Sequence, residues 1–268
     1  MDDRTIRGAY SVLMLLLNSL LPDGLSILSA LFLVAAAFVT SAMTAAFGIG
    51  GGVALLAVMA SIVPVAVLIP VHGVVQAASN ISRAVVERRH VVWPLIGTFS
   101  LGAFMGALIG GQLVVSLPDT LLKVLVGCFV LFSVWGGRIT SSGHGPFGLA
   151  VGGMLASILT MFVGATGPFV AALLASRLED RRNYNGTHAA AMVIQHGLKI
   201  VTFGLLGFAF GAWLPLMAGM IVAAFLGAPV GSRLMHAMPE ERFRTIFKWV
   251  LTALAIQLLV SGMIELVG

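Results

Sequence analysis

Residues 24–82 contain no Asp, Glu, Lys or Arg, and inside that run Phe47-Gly48-Ile49-Gly50-Gly51-Gly52 places four glycines in five positions. A charge-free apolar run of this length exceeds what a soluble core helix needs and suits the hydrocarbon of a bilayer. Glycine lacks a Cβ and adopts positive φ freely, so the cluster breaks or sharply turns a helix and lets other groups approach the backbone. In hydrocarbon the freed backbone groups need partners, so such a break is tolerable only when packed in protein or lining a polar cavity. A helix starting there presents N–H groups and the positive end of its dipole to an anion. Transporters place interrupted helices at substrate sites for this reason. The competing reading is that the glycines only let helices pack closely, although four together exceed what packing requires.

The composition agrees with a membrane setting. Hydrophobic residues make up 59% of the 268 positions and charged residues 9%, and the mean hydropathy is +1.06. This excludes soluble globular and disordered classes and leaves no stretch for a soluble domain. The net charge of +5 does not point to nucleic acid, because the basic residues lie in short connections between apolar runs, where they set orientation. The single cysteine, Cys128, lies in an apolar stretch and reads as a packing residue, with no disulfide framework or CxxC site. Before residue 26, Asp2, Asp3, Arg4 and Arg7 precede an apolar segment at 8–21. The acidic start and the lack of a small-x-small site argue against a cleaved signal and for a short membrane or interfacial helix over 1–25.

Apolar segments follow at 26–47, 53–63, 65–86, 91–115, 121–135, 147–163, 169–176, 184–210, 213–235 and 247–267. The short ones, 53–63 and 169–176, each follow a glycine-rich break and suggest helical hairpins that turn inside the membrane. The second half repeats the first. Gly106-x-x-x-Gly110 with Pro118-Asp119 returns as Gly227-x-x-x-Gly231 with Pro239-Glu240, displaced by 121 residues. Upstream, Gly48 aligns with Gly164, His72 with His188 and Arg83 with Lys199 at a displacement of 116, so about five residues are inserted before Trp213. Internal repetition with interruptions at matching positions is the sequence mark of a transporter.

The expected fold is therefore an all-α polytopic membrane protein of two repeats, each of four to five helical segments beginning with a glycine-broken hairpin. The repeats occupy 26–138 and 147–268, joined by a cytoplasmic linker at 139–146. With three full crossings after each hairpin, thirteen of the fifteen Lys and Arg fall on one side, all but Lys123 and Lys199. If the N-terminal segment also crosses once, the positive-inside rule makes that side, and the N-terminus, cytoplasmic, and favours inverted repeats over parallel halves, which stay open as the second arrangement.

His72, Gln76, Asn80 and Arg83 recur at spacings of four, four and three, along one helix face. His188, Gln195, His196 and Lys199 form a comparable stripe in the second repeat. Polar groups at membrane depth face a bundle interior or a wet cavity. The candidate binding residues are therefore Gly48, Gly50, Gly51, Gly52, His72, Gln76, Asn80 and Arg83, with Gly164, Thr166, Gly167, His188, Gln195 and Lys199 in the second half. Neither stripe holds an acidic residue, so a small anion is the ligand that fits. The bland readings are that Arg83 snorkels to the headgroups, that the histidines bond to backbone, and that the carboxamides hold helices together. His188 and His196, eight apart with no carboxylate near, do not suit zinc, and no metal or cofactor is expected. No Walker sequence, nucleophile triad or paired carboxylates are present, so the chain reads as a non-enzyme whose transport is facilitative, draws on an ion gradient or takes energy from another subunit. Histidine makes the proton a suitable coupling ion.

The Phe-Gly-Ile-Gly-Gly-Gly motif, the polar-faced helix ending in Glu87-Arg88-Arg89-His90 before Val91-Val92-Trp93, the glycine-spaced stretch from Leu101 to Gly110 and the degenerate second copy resemble the TauE/SafE family of sulfite exporters and related anion permeases, over about residues 26–262. The resemblance implies a multi-pass permease of the inner (plasma) membrane for sulfite, a sulfonate or a related organosulfur anion. The chain departs from the family pattern at Gly164-Ala165-Thr166-Gly167-Pro168, where a glycine triplet is usual, and at Ala77-Ala78-Ser79-Asn80, near where Gly-Thr-Ser is common. A permease for a carboxylate-type anion and a membrane scaffold without transport are the alternatives. Bilayer and small anion are the expected partners, with a homodimer compatible.

Overall fold

The computed structural model describes residues 21–22, 24–47, 50–114, 117–136, 145–234 and 240–267. The expected N-terminal helix, Gly48 and most of the linker lie outside the described residues. Among those described there are ten α-helices: α1 (Ile27–Phe47), α2 (Gly51–Ala60), α3 (Val65–Val86), α4 (Trp93–Val114), α5 (Asp119–Trp135), α6 (Pro146–Val163), α7 (Gly167–Ala175), α8 (Arg181–Leu205), α9 (Phe210–Leu234) and α10 (Glu240–Val267). A 3-10 turn, Arg88–His90, links α3 to α4.

Six of the helices, α1, α3, α4, α6, α9 and α10, are long and apolar enough to cross a membrane. Their outward faces expose Leu28, Leu101, Phe104, Leu226 and Trp249 among many others, which suits lipid contact and not water. Helix α8 has 25 residues but buries His188, Gln195, His196 and Lys199 instead of presenting an apolar surface. Helices α2 and α7 have only 10 and 9 residues.

Local signals fix the ends. Pro64 and Pro118 immediately precede α3 and α5, and Pro146 opens α6, positions where a missing N–H costs nothing. The Asp180 carboxylate accepts the Asn183 N–H at 2.8 Å and caps α8. Gly50 before α2 has φ 104° and Gly164 after α6 has φ 86°, conformations that a side chain strains. One expectation is corrected: 184–210 is not one segment. Gly207, at φ 87°, turns the chain between α8 and α9. Cys128, expected to pack, is exposed on α5.

The two most extensive pairings are α4 with α6 and α1 with α9. In the first, Gly102, Gly106 and Gly110 lie against the backbone of Ala150, Met154 and Ile158. In the second, Gly227 and Gly231 lie against the backbone of Phe38 and Ala42. Both pairs run parallel. Moreover, 227 − 106 and 231 − 110 both equal 121, while 154 − 38 and 158 − 42 both equal 116. The two displacements read from the sequence thus carry one interface onto the other. Helices α3 and α8 run antiparallel, with Gly73 beside Lys199 and Glu87 beside Gly186. So do α5 and α10, where Lys123 pairs with Glu265 and the Trp135 indole N–H donates to Thr252 at 2.8 Å.

Candidate functional site

The starts of α2 and α7 meet the crossing of α3 and α8 around a cavity of about 50 Å³. The first half lines it with Thr44, Gly50, Gly52, Val53, His72, Gln76, Ser79, Asn80 and Arg83. The second half contributes Ala165, Gly167, Pro168, His188, Met192 and His196. None of these is acidic. Exposure rises along α3 from buried His72 to half-buried Ser79 and Arg83, so the accessible end is the Arg83 end.

Each short helix is held by a histidine of its own half. The His72 Nε2–H donates to the Gly52 carbonyl at 2.9 Å, and the His188 Nε2–H to the Gly167 carbonyl at 3.2 Å. A carbonyl only accepts, so these bonds place the proton on Nε2 of both rings. The rings of His72 and His196 meet edge to face at 6.1 Å, and Tyr184 stacks on His188 at 6.0 Å. Among the described residues, Nδ1 of His72, His188 and His196 is buried without a hydrogen-bond partner, so each ring keeps unused polar capacity. Asn80 Nδ2 donates to the Gln76 carbonyl of its own helix at 2.8 Å.

The other candidates lie behind this layer. Thr166 donates to Gln195 Oε1 at 2.8 Å, and the Lys199 ammonium donates to the Gly164 carbonyl at 2.6 Å. Gln195, Thr166 and Lys199 are fully buried, and none lines the cavity. They tie the second break to α8. Gly51 faces the Thr40 carbonyl and Thr44 hydroxyl of α1 so closely that no Cβ fits, which is the close-packing use of glycine; a Cβ on Gly164 would meet Leu56 at 2.6 Å. Gly52 instead opens beside Gln76. Ser79, Met192 and His196 line the cavity without having been candidates. They lie seven residues after His72, and four and eight after His188, so helical spacing alone points to them.

Chemically, the cavity offers one guanidinium, carboxamide and hydroxyl donors, imidazoles, and the first turns of two helices, whose N–H groups lack intrahelical acceptors. That set complements an anion with several acceptor oxygens. Among the described residues no three His, Cys, Asp or Glu converge as a metal site would require.

The family model of the sulfite exporter TauE/SafE matches residues 33–258. A curated relative, the probable inner membrane transporter protein TsaS of Comamonas testosteroni, is 28% identical over 184 residues, covering 65% of this chain and 72% of that one. No solved structure matches. With a match over most of its length and six helices fit to span a bilayer, the chain belongs to the TauE/SafE sulfite exporter family of multi-pass membrane transporters.

Proposed function

We propose that this transporter carries a small oxyanion, sulfite or the headgroup of a sulfonate, held in the cavity between the two helix breaks. The observation that carries the reading is an acid-free cavity walled by Arg83, Gln76, Asn80 and the histidines and lined by the first turns of two short helices. A volume near 50 Å³ holds roughly four water-sized spheres. That is the size of one sulfur with three oxygens, and a sulfonate tail would extend toward the open Arg83 end. A scaffold whose glycines serve packing alone calls for a closed bundle, and the cavity counts against it.

The topology belongs to the same reading. The antiparallel course of α3 against α8 and of α5 against α10 favours inverted repeats, since partners related by an axis along the membrane normal would run parallel. In this reading the Arg83 end and the N-terminus face the cytoplasm, which the charge distribution supports. One chain completes the cavity, so the reading needs no second copy. Active transport in this reading draws on an ion gradient or on energy from another subunit, and the imidazoles suit a proton as the coupling ion.

The experiment is counterflow of radiolabelled sulfite in proteoliposomes, with taurine, sulfoacetate and acetate as competitors and with an imposed pH gradient. Saturable sulfite exchange, inhibited more by sulfonates than by acetate, is expected. Acetate competing as well as sulfite would move the substrate to the carboxylate class; no exchange of any of these anions would refute the reading.

A further inference from the structure

Along α3 and α8 the cavity lining is symmetric at six positions and asymmetric at two. His72, Gln76 and Asn80 of α3 and His188, Met192 and His196 of α8 all line it, and 188 − 72, 192 − 76 and 196 − 80 each equal 116. The two halves therefore contribute equivalent positions. Ser79 and Arg83 also line the cavity, while the residues 116 further on, Gln195 and Lys199, do not. Both are fully buried, Gln195 bonded to the Thr166 hydroxyl and Lys199 to the Gly164 carbonyl.

Because α3 and α8 run antiparallel, a half-turn that exchanges the two stripes also exchanges the two ends of the cavity. The end at Arg83 is accessible and the end at Lys199 is sealed. A chain with two near-equivalent halves has two near-equivalent packings of them, and this structure holds each half in a different one. We infer that the opposite access state is the exchanged packing, in which Gln195 and Lys199 line the cavity while Ser79 and Arg83 withdraw, so that the anion passes from the guanidinium to the ammonium. The Lys199–Gly164 and Thr166–Gln195 bonds are then the latch of the closed end. A neutral carbonyl is a weaker partner for an ammonium than an anion is, so a bound oxyanion offsets the loss of the first bond. This rests on the anion-carrier reading, and its test separates the two.

With Cys128→Ser removing the native thiol, Ser79→Cys and Gln195→Cys are each reacted with a membrane-impermeant thiol reagent in right-side-out and inverted vesicles, with sulfite on both sides. Ser79→Cys is expected to react from one face and Gln195→Cys only from the other. If Gln195→Cys reacts from the Ser79→Cys face or from neither, the exchange is overturned, whether or not sulfite counterflow is seen. Opposite-face reactivity without counterflow keeps the exchange and removes sulfite. Because Gln195→Cys removes a buried hydrogen bond with Thr166, Lys199→Met supplies a second measurement. It should keep sulfite-induced thermal stabilisation to within about threefold in affinity while counterflow falls at least tenfold. Loss of binding as large as that from Arg83→Gln would place Lys199 on the anion in the present state and overturn the inference.

Discussion

Gly106→Ala and Gly227→Ala should destabilise the protein by matching amounts, because the two glycines occupy equivalent points of two separate interfaces. A Cβ on Gly106 would lie 2.9 Å from both the carbonyl carbon and the α-carbon of Met154, and one on Gly227 would lie 3.0 and 3.2 Å from those of Phe38. Ordinary contact begins near 3.4 Å, and the opposing atoms are backbone, so each helix pair must part. A gap of about 0.5–1 Å forfeits a quarter to a half of the attraction between facing atoms, each pair worth about 0.1–0.2 kcal/mol. With some 40 pairs across a crossing, the loss is on the order of 2 kcal/mol, within the usual cost of overpacking. Alanine's higher helix propensity returns up to about 1 kcal/mol. Gly97→Ala, also in α4 but with nothing within 4 Å, isolates that gain. Equilibrium unfolding in mixed micelles should place Gly106→Ala and Gly227→Ala about 1–2 kcal/mol below wild type, and Gly97→Ala at or above it. Sulfite counterflow should fall for the first two, since α6 and α1 end at the breaks that bound the cavity. A difference above about 1 kcal/mol between the matched variants, or stability of either equal to that of Gly97→Ala, would refute the equivalence of the two interfaces.

Arg83→Gln removes the one guanidinium that the described residues place on the cavity wall, and a hydrogen bond to a charged group is worth about 1.5–3 kcal/mol, so the sulfite KM should rise at least tenfold in counterflow with little change in unfolding. Thr166→Val deprives buried Gln195 of its hydroxyl partner and should cost about 1–3 kcal/mol on unfolding, with Thr166→Ser restoring most of it. Glu265→Gln breaks the pair with Lys123, whose side chains are 45% and 21% exposed, and should change stability by no more than about 1 kcal/mol. A larger loss would mean that this pair governs how α5 and α10 dock.

Hydropathy contrast made the order and type of the elements legible, and their ends were less so. The short helices begin at Gly51 and Gly167 and not at the first large apolar residue, because glycine at a first turn leaves room for the packing found at Gly51. Helix α8 begins at Arg181, where the Asp180 cap outweighs the polarity that marked residues 181–183 as loop. The five inserted residues do not form a longer loop. Counting from the end of α3, the repeat would end α8 at 202 and start α9 at 214, yet the helices end at Leu205 and begin at Phe210. The insertion lengthened both helices and left Gly207 to make a tight turn.

The site was legible as a set of positions but not as a conformation. Helical spacing places His72, Gln76, Asn80 and Arg83 on one face whatever the chain does next, and the same holds for His188, Gln195, His196 and Lys199. Which members reach the cavity depends on how α3 and α8 are rotated and slid against each other, and under the exchange inferred above two similar stripes would offer similar energies for either choice. Polarity was a poor guide within that degeneracy: Met192 lines the wall where Gln76 stands opposite, whereas the ammonium of Lys199 faces a carbonyl. A sequence that specified one arrangement uniquely would make a good scaffold and a poor carrier. If the exchange holds, the ambiguity that hid the placement of Lys199 is the property that a two-state transporter needs, an energy gap between packings small enough for a bound anion to reverse.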